Sequence, residues 1–261
     1  MNRESVYRHG DELYNALRTR TTVPPLTERE PDIDIDAAYR ISERLLARRL
    51  ADGERVVGKK AGVTSLVVQA ALGVHQPDFG YLTDAMLFAD GAEMPISTRL
   101  IQPRAEGEIA FVLEKALTGP GITNEDVLAA TAYVKPCFEI VDSRIHDWEI
   151  KIQDTIADNA SSGLFLLGRD AVSPRDVDFV TCGMVVWKNG QVLSTGAGSA
   201  AVGTPVGCVA WLANTLGAFG ISLEAGEIIL SGSLVPLEPV RAGDHMEVRI
   251  AGVGSARVRF V

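Results

Sequence analysis

Apolar residues recur every three or four positions along two stretches near the start of the chain, from Tyr7 to Arg20 and from Asp36 to Leu50. This spacing places the apolar side chains on one side of a helix, so each stretch predicts one helix. The link between them, TTVPPLTEREPDID, is rich in proline and polar residues and predicts an extended connection. We therefore expect residues 1–55 to form an N-terminal helical segment that packs on the core.

After residue 55 the pattern changes to short apolar runs bounded by turn residues, which predict strands. The runs are VVGKKAGVT, EIAFVLEK, CFEIVDSRI, GLFLLG, CGMVVWKNGQVLSTG, EIILSGSLV and MEVRIAGVGSARVRFV. Asn189-Gly190, within the fifth run, predicts a tight hairpin. Helices are predicted over EDVLAATAYV, capped by Asn124, and over VGCVAWLANTLGAF, between Pro205 and Gly220.

The strands do not alternate regularly with helices, which argues against a doubly wound parallel sheet. The pattern instead predicts an α+β fold, a mixed β-roll or barrel with N-terminal and peripheral helices. Residues 56–261 are expected to form its β-rich catalytic domain.

Charge and composition narrow the classes of function. The chain carries 25 Lys and Arg against 34 Asp and Glu, a net charge of −9, and has no basic run. Nucleic acid and anionic membranes are therefore poor partners. No signal-peptide pattern or membrane-spanning apolar run is present, which predicts a cytoplasmic protein. The three cysteines show no CxxC spacing and are expected to be buried and reduced; they are Cys137, Cys182 and Cys208.

Three glutamates in predicted strands are candidate metal ligands. Glu106 and Glu108 are two residues apart in RAEGEIAFVLEK, so both point to one face of the strand. Glu139 lies between Phe138 and Ile140, where an unpaired carboxylate is costly to bury. If the two strands are neighbours, the three carboxylates can hold one hard divalent cation such as Mg²⁺ or Mn²⁺. Spacing alone leaves a solvated acidic face as an equal alternative.

Other polar residues suggest acid–base chemistry. Lys59 and Lys60 are adjacent in a predicted strand and point to opposite faces, so one can turn inward while the other is solvated. Two surface lysines are the alternative. HQPDFGYLTD predicts a turn-rich loop in which Asp78 is a general base or a turn former. DTIADNASSG has the small polar residues of a loop that binds a substrate carboxylate. No zinc, dinucleotide, GxSxG or P-loop pattern occurs.

Five motifs in order resemble the 2-keto-4-pentenoate hydratase family of the fumarylacetoacetate hydrolase superfamily. They are GKKAGVTS, GVHQPDFGYLTD, RAEGEIAFVLEK, PCFEIVDSRI and DTIADNASSG. The resemblance covers nearly the whole chain. It implies a metal-dependent hydro-lyase of the meta-cleavage degradation of aromatic compounds. Such an enzyme adds water to 2-hydroxypenta-2,4-dienoate and forms 4-hydroxy-2-oxopentanoate.

The resemblance also assigns roles to individual residues. It implies three ligands for Mg²⁺ or Mn²⁺, which are Glu106, Glu108 and Glu139. The family pattern G-x-K-x-G selects Lys60 rather than Lys59 as the partner of Asp78 in acid–base catalysis. Ser161 and Asn159 are implied to face the substrate.

Several alternatives stay open at this point. 4-Oxalocrotonate decarboxylase is a sister activity on a related scaffold. A C–C hydrolase of the wider superfamily is a second alternative; such hydrolases often have a histidine-containing lid near the N-terminus, where this chain has His9. A non-catalytic partner of the decarboxylase is a third alternative, because hydratases of this group are thought to associate with that enzyme. The resemblance further implies a homo-oligomer, either a pentamer or a decamer.

Overall fold

A computed structural model describes residues 1–66, 69–70, 73–201 and 203–261 of the chain. These residues form two β-sheets, with helices at the N-terminus and between the strands. This confirms the predicted α+β class, whereas closure into a roll or barrel stays a prediction. No helix in the described stretches is long and apolar enough to cross a membrane.

The N-terminal segment contains helices α1 (Arg3–Thr19), α2 (Leu26–Arg29) and α3 (Ile35–Ala51). The two long helices pack against each other, and each begins at a polar cap: the side chains of Asn2 and Asp34 accept backbone N–H groups of the first turn. Both long helices are confirmed. The predicted extended connection between them is interrupted by α2, so the prediction is wrong for these four residues.

The larger sheet is built from β1 (Val56–Gly62), β2 (Asp78–Thr83), β3 (Leu87–Ala89), β5 (Arg104–Leu113), β6 (Thr131–Val141), β7 (Ser162–Leu167), β10 (Ile228–Leu230) and β11 (Glu238–Pro239). Its order is β2-β1-β10-β5-β6-β7-β3, and β11 also pairs with β5. The long antiparallel pair of β5 and β6 lies at its centre.

The smaller sheet is built from β4 (Glu93–Met94), β8 (Gly183–Lys188), β9 (Gln191–Ala197), β12 (His245–Ile250) and β13 (Gly254–Phe260), in the order β4-β13-β12-β8-β9. Asn189 and Gly190 connect β8 to β9 with φ of 54° and 81°. Two successive positive φ values are what a tight hairpin needs, so the predicted hairpin is confirmed.

Further helices lie between the strands, namely α4 (Ile96–Arg99), α5 (Asn124–Ala130), α6 (Ile152–Ala157) and α7 (Pro205–Gly217). The predicted helix over EDVLAATAYV is too long, because the β-branched and aromatic residues after Ala130 pair with β5 as part of β6. Its cap is Thr123, whose side chain accepts the N–H of Asp126, and Asn124 is the first helical residue. Helix α7 ends at Gly217, and Gly220 closes the following turn with a φ of 71°, its N–H donating to the carbonyl of Gly217, as predicted.

Two predicted loops are partly regular structure. HQPDFGYLTD was predicted to be a turn-rich loop, but strand β2 begins at Asp78 and contains Gly80. DTIADNASSG was predicted to be a loop, but α6 covers its first residues and β7 begins at Ser162. The glycine and small polar residues that suggested turns instead permit close packing of these elements.

The two sheets share one apolar core. Side chains from β5, β6, β8, β12 and β13 pack together there, and α7 covers the same cluster. The N-terminal helices form a second cluster with α6 and Ile145. All three cysteines are buried, as predicted.

Candidate metal centre and active site

The three glutamates meet on one face of the larger sheet. Glu106 of β5 lies directly opposite Glu139 of β6, and Glu108 follows two residues along β5. One carboxylate oxygen of each lies within 4.8 Å of the others. Glu108 and Glu139 are almost completely buried, with exposed fractions of 0% and 1%. The alternative of a solvated acidic face is therefore wrong.

The opposite face of β5 explains why the carboxylates point this way. Ala105, Gly107 and Ile109 alternate with the glutamates and pack in the core. A Cβ atom on Gly107 would lie 2.9 Å from Met184 Sδ of the smaller sheet, so only glycine fits there without a shift. Because strand side chains alternate, this packing holds both glutamates on the other face.

The acidic cluster is only partly neutralised by the chain itself. Gly232 N donates to one oxygen of Glu108 at 2.8 Å. The other oxygen of Glu108 and both oxygens of Glu139 are buried without a hydrogen-bond partner among the described residues. Burial, reinforced by Glu139, raises the pKa of Glu106 to about 8 and that of Glu108 well above its ordinary value. Converging oxygen donors of this kind fit a hard divalent cation.

Lys60 reaches the acidic cluster from β1. Its Nζ lies 3.4 Å from Glu139 Oε1, and the side chain is buried. Burial lowers the pKa of this ammonium group, but the surrounding carboxylates, Glu139 first, outweigh it and raise the pKa above its ordinary value. Lys60 is therefore a cation next to the candidate metal ligands.

Lys59 points to the opposite face and is also buried. Its Nζ lies 2.6 Å from both carboxylate oxygens of Glu227. The expectation that the second lysine is solvated is wrong, and so is the alternative of two surface lysines. The physical reason is the ion pair with Glu227, which compensates the buried ammonium group.

Asp78 is the first residue of β2 and pairs with Gly62 of β1. The turn-forming alternative is therefore wrong. Both carboxylate oxygens are buried without a hydrogen-bond partner among the described residues. Burial raises the pKa of Asp78, and Lys60 opposes this increase. A Cβ atom on Gly62 would lie 2.3 Å from Asp78 Oδ1 and 3.1 Å from Lys60 Nζ, so this glycine makes room for both groups.

The segment before β7 forms an unusual left-handed turn. Asn159, Ala160 and Ser161 have φ of 56°, 49° and 51°, a region that non-glycine residues seldom occupy in succession. The Asn159 side chain pairs with both backbone groups of Tyr81 at 2.8 and 2.9 Å. Ser161 Oγ lies 3.2 Å from Thr155 Oγ1. Thus Asn159 connects the turn to β2, whereas Ser161 lines the cavity described below. Their predicted contacts with substrate stay predictions.

Arg144 supports this turn and was missed by the sequence analysis. It is buried, and its Nε donates to Asp158 Oδ1 at 2.5 Å, while Nη1 donates to the carbonyls of Asp142 and Ser162. Its backbone N–H also donates to Asp158. The arginine occurs in the motif PCFEIVDSRI, but spacing alone could not reveal that it would be buried beside the turn.

A cavity of about 560 Å³ opens onto these groups, a size typical of small-molecule sites. Its charged lining residues are Lys60, Asp78, Arg104 and Glu106. Its apolar lining includes Val141, Trp148, Ile150, Leu234, Val235 and Leu237. The arrangement can therefore bind a small molecule that combines an anionic group with a hydrocarbon part.

Known proteins resemble the chain in sequence and in structure. The family model of the fumarylacetoacetate (FAA) hydrolase C-terminal domain matches residues 55–261. A 2-hydroxypent-2,4-dienoate hydratase from Pseudomonas putida is 69% identical over 85% of this chain and 100% of that protein. A 2-hydroxyhexa-2,4-dienoate hydratase from Comamonas testosteroni is 56% identical over 99% and 98%. A solved structure of 4-oxalocrotonate decarboxylase from Pseudomonas putida G7, complexed with magnesium and adipate, is 37% identical, with a TM-score of 0.96 over 100% of this chain and 99% of that one.

Proposed function

The chain belongs to the fumarylacetoacetate hydrolase family, and from this premise we propose that it is a hydratase of 2-hydroxypenta-2,4-dienoate. The product is 4-hydroxy-2-oxopentanoate, and the pathway is the meta-cleavage degradation of aromatic compounds. The observation that carries the proposal is the buried group of three glutamates, with Lys60 and Asp78 beside it, at a cavity of small-molecule size. The similar hydratases support the same reaction type.

Glu106, Glu108 and Glu139 would hold the divalent cation on which this activity depends. Mg²⁺ and Mn²⁺ suit their hard oxygen donors, and magnesium is present in the similar decarboxylase structure. When bound, such a cation acts as a Lewis acid and stabilises negative charge on a substrate oxygen.

Lys60 and Asp78 are the groups of this chain that hold and move protons. Burial favours the neutral carboxyl group of Asp78, a form that can donate a proton. In the first stage the dienol loses its O2 proton and C5 gains one, which gives 2-oxopent-3-enoate. In the second stage water adds across C3 and C4, with hydroxide at C4 and a proton at C3. Each stage passes through an anion, which exists after one proton has been lost and before the other is gained. The positive charge of Lys60, which lies beside Glu139, favours these anions.

The test follows the ultraviolet absorbance of 2-hydroxypenta-2,4-dienoate with chelator-stripped protein, before and after addition of Mg²⁺ or Mn²⁺. We expect metal-dependent decay of the dienoate to 4-hydroxy-2-oxopentanoate without release of CO₂. Absence of decay with either metal would contradict the hydratase proposal.

Decarboxylation is the second candidate function, because the similar decarboxylase structure matches the whole chain. Release of CO₂ from 4-oxalocrotonate by this protein alone would favour it. The hydrolase alternative loses its support, since His9 lies in α1 beside Glu12 and Glu30 and is not among the residues that line the cavity. Activity of the purified chain would exclude a purely non-catalytic partner.

Other features belong to the same proposal. We propose a cytoplasmic homo-oligomer, a pentamer or decamer, that associates with 4-oxalocrotonate decarboxylase. Residues 1–55 would form the helical segment and residues 56–261 the catalytic domain, with the sheets arranged as the β-roll of this family. Size measurement of the purified protein, alone and mixed with the decarboxylase, tests both assemblies.

A further inference from the structure

Arg104 is a positively charged side chain at a cavity that also gathers carboxylates. It is the first residue of β5 and lies two residues before Glu106, so both side chains leave the strand on the same face. Both line the cavity. Two residues of a strand span about 6.6 Å. A small ligand can therefore contact the guanidinium group and the acidic cluster at the same time.

Trp148 holds this guanidinium group from one side. The Cζ atom of Arg104 lies 4.5 Å from the centroid of the indole ring. The indole is itself fixed, because its Nε1 donates to the carbonyl of Gln102 at 3.1 Å. Asp147 and Trp148 have φ of 48° and 60°, so the backbone takes a left-handed turn at the indole. Trp148 also lines the cavity.

Stacking leaves the hydrogen-bond donors of Arg104 available. Among the described residues, its guanidinium group forms no ion pair within 4.0 Å and no side-chain hydrogen bond, although Glu106 is close in sequence. Guanidinium groups carry five N–H donors in one plane, and contact with an aromatic face uses none of them. The group is therefore orientated but unpaired at the edge that a ligand can reach.

We propose that Arg104 binds the carboxylate of the substrate and that Trp148 positions its guanidinium group. This inference rests on the proposed function, because the substrate class follows from it. A planar guanidinium group matches a carboxylate with two parallel hydrogen bonds, which a lysine ammonium cannot reproduce. A carboxylate has about four acceptor sites, so it can bind Arg104 and still present an oxygen to the glutamate cluster. Arg104 is then a specificity-determining residue for 2-oxo and 2-hydroxy acids.

The test measures binding of 2-oxopentanoate, which lacks the double bonds needed for hydration, to the Mn²⁺-loaded protein by titration calorimetry. The second probe is 2-oxopentanamide, in which a neutral amide replaces the carboxylate. We expect the wild-type protein to prefer the acid over the amide. R104Q should lose about 10- to 100-fold in affinity for the acid alone, which corresponds to about 1.4–2.7 kcal/mol and is in the range of a charge-assisted hydrogen bond. R104K should recover part of the preference, because it restores the charge without the planar fork.

Two controls separate recognition from structural damage. Arg249 stacks on Trp187 at 5.1 Å on the smaller sheet and is not among the cavity residues, so R249Q makes the same chemical change elsewhere and should leave both affinities unchanged. Binding of Mn²⁺, followed by electron paramagnetic resonance, should differ less than about twofold between R104Q and wild type. W148L should weaken acid binding less than R104Q and reduce the preference for acid over amide.

Three results would overturn the proposal: no measurable binding of the acid by wild type, affinities of R104Q for both probes equal to those of wild type, or an equal loss of affinity for both probes. The last would assign Arg104 a purely structural role. Failure of the hydratase proposal is distinguishable, since Arg104-dependent preference for the acid without turnover of the dienoate would retain the carboxylate site and reject the reaction. Turnover of the dienoate with an unchanged preference in R104Q would retain the reaction and reject the carboxylate site.

Discussion

Two clusters of buried charge lie near the cavity, and they are built in opposite ways. Around Arg144, donors and acceptors match: Asp158 accepts from its Nε and its backbone N–H, and main-chain carbonyls accept the other donors. Around Lys60, one ammonium group faces four carboxyl groups, and several of their oxygens have no hydrogen-bond partner among the described residues. Apart from Glu106, which lines the cavity, the charged side chains of both clusters are buried.

This difference separates a structural cluster from a functional one. A buried charge that is fully hydrogen-bonded fixes the chain around it, as Arg144 does for the turn at Asn159. Buried carboxylates without partners destabilise the folded chain unless something else binds them. The acidic cluster is therefore a candidate binding site, and the Arg144 cluster is its support.

The largest expected effect comes from removal of one metal ligand. We expect E108Q to reduce metal-dependent turnover at least ~10³-fold, because a Lewis acid contributes several kcal/mol to such a reaction. The metal-free variant should melt no lower than the metal-free wild type, since one repelling carboxylate has gone. Steady-state kinetics and thermal denaturation check both.

The matched control for that prediction is E114Q, since Glu114 is exposed and directly follows β5. It should leave turnover unchanged. Retained metal-dependent activity in E108Q would remove Glu108 from the ligand set.

A substitution in the cluster around Arg144 should change the stability of the folded protein. We expect R144M to lower the free energy of unfolding by about 3–5 kcal/mol, because Asp158 is left buried without its cation. Urea denaturation measures this. The double variant R144M/D158N should recover part of the loss, and additive losses would show that the two residues are not coupled.

A smaller effect is expected at Gly62, which makes room for the proposed proton carriers Asp78 and Lys60. G62A places a methyl group against Asp78 and Lys60, so we expect kcat to fall about 10- to 100-fold while the affinity for Mn²⁺ changes little. G183A is the matched control, because Gly183 lies in β8 with no atom within 4 Å of the added carbon. Equal kinetics for the two variants would show that the space at Gly62 is not needed.

The smallest effect concerns pH and metal removal. Because the pKa of Glu106 is raised to about 8, the folded metal-free protein binds more protons than the unfolded chain between about pH 4.5 and 8. Its stability should therefore decrease as pH rises through this window. We expect the Tm of chelator-treated protein to fall by a few degrees and added Mn²⁺ to reverse the fall at high pH, measured by calorimetry. A Tm that rises across the window would contradict the shift.

The sequence alone predicted those features that depend on short-range patterns. The alternation of β5 indicated that Glu106 and Glu108 share a face, and Asn189-Gly190 indicated the hairpin. Convergence with Glu139 depended on the pairing of β5 with β6, which are consecutive long strands and often neighbours. The roles of these residues came from the family resemblance and not from the pattern.

Features set by distant partners could not be predicted in this way. Lys59 is buried because Glu227, 168 positions away, lies opposite it. Asp78 was assigned to a turn-rich loop because Pro77 and Gly80 are turn residues, yet Gly80 serves to admit the backbone of Asn159, to which an added Cβ would lie within 2.5 Å. Local propensity describes one segment, whereas these choices are made by a second segment that packs against it.

The shared use of β5 limits how this scaffold can diversify. Its odd and even positions serve two tasks, since Gly107 and Ile109 pack in the core while Glu106 and Glu108 belong to the acidic cluster on the other face. A slip of one residue would exchange the two sets and lose both tasks at once. Variation in substrate range is therefore expected in cavity residues outside this strand, such as Ile150 and Leu237. The strand that carries the two glutamates would stay constant while the cavity walls around it evolve.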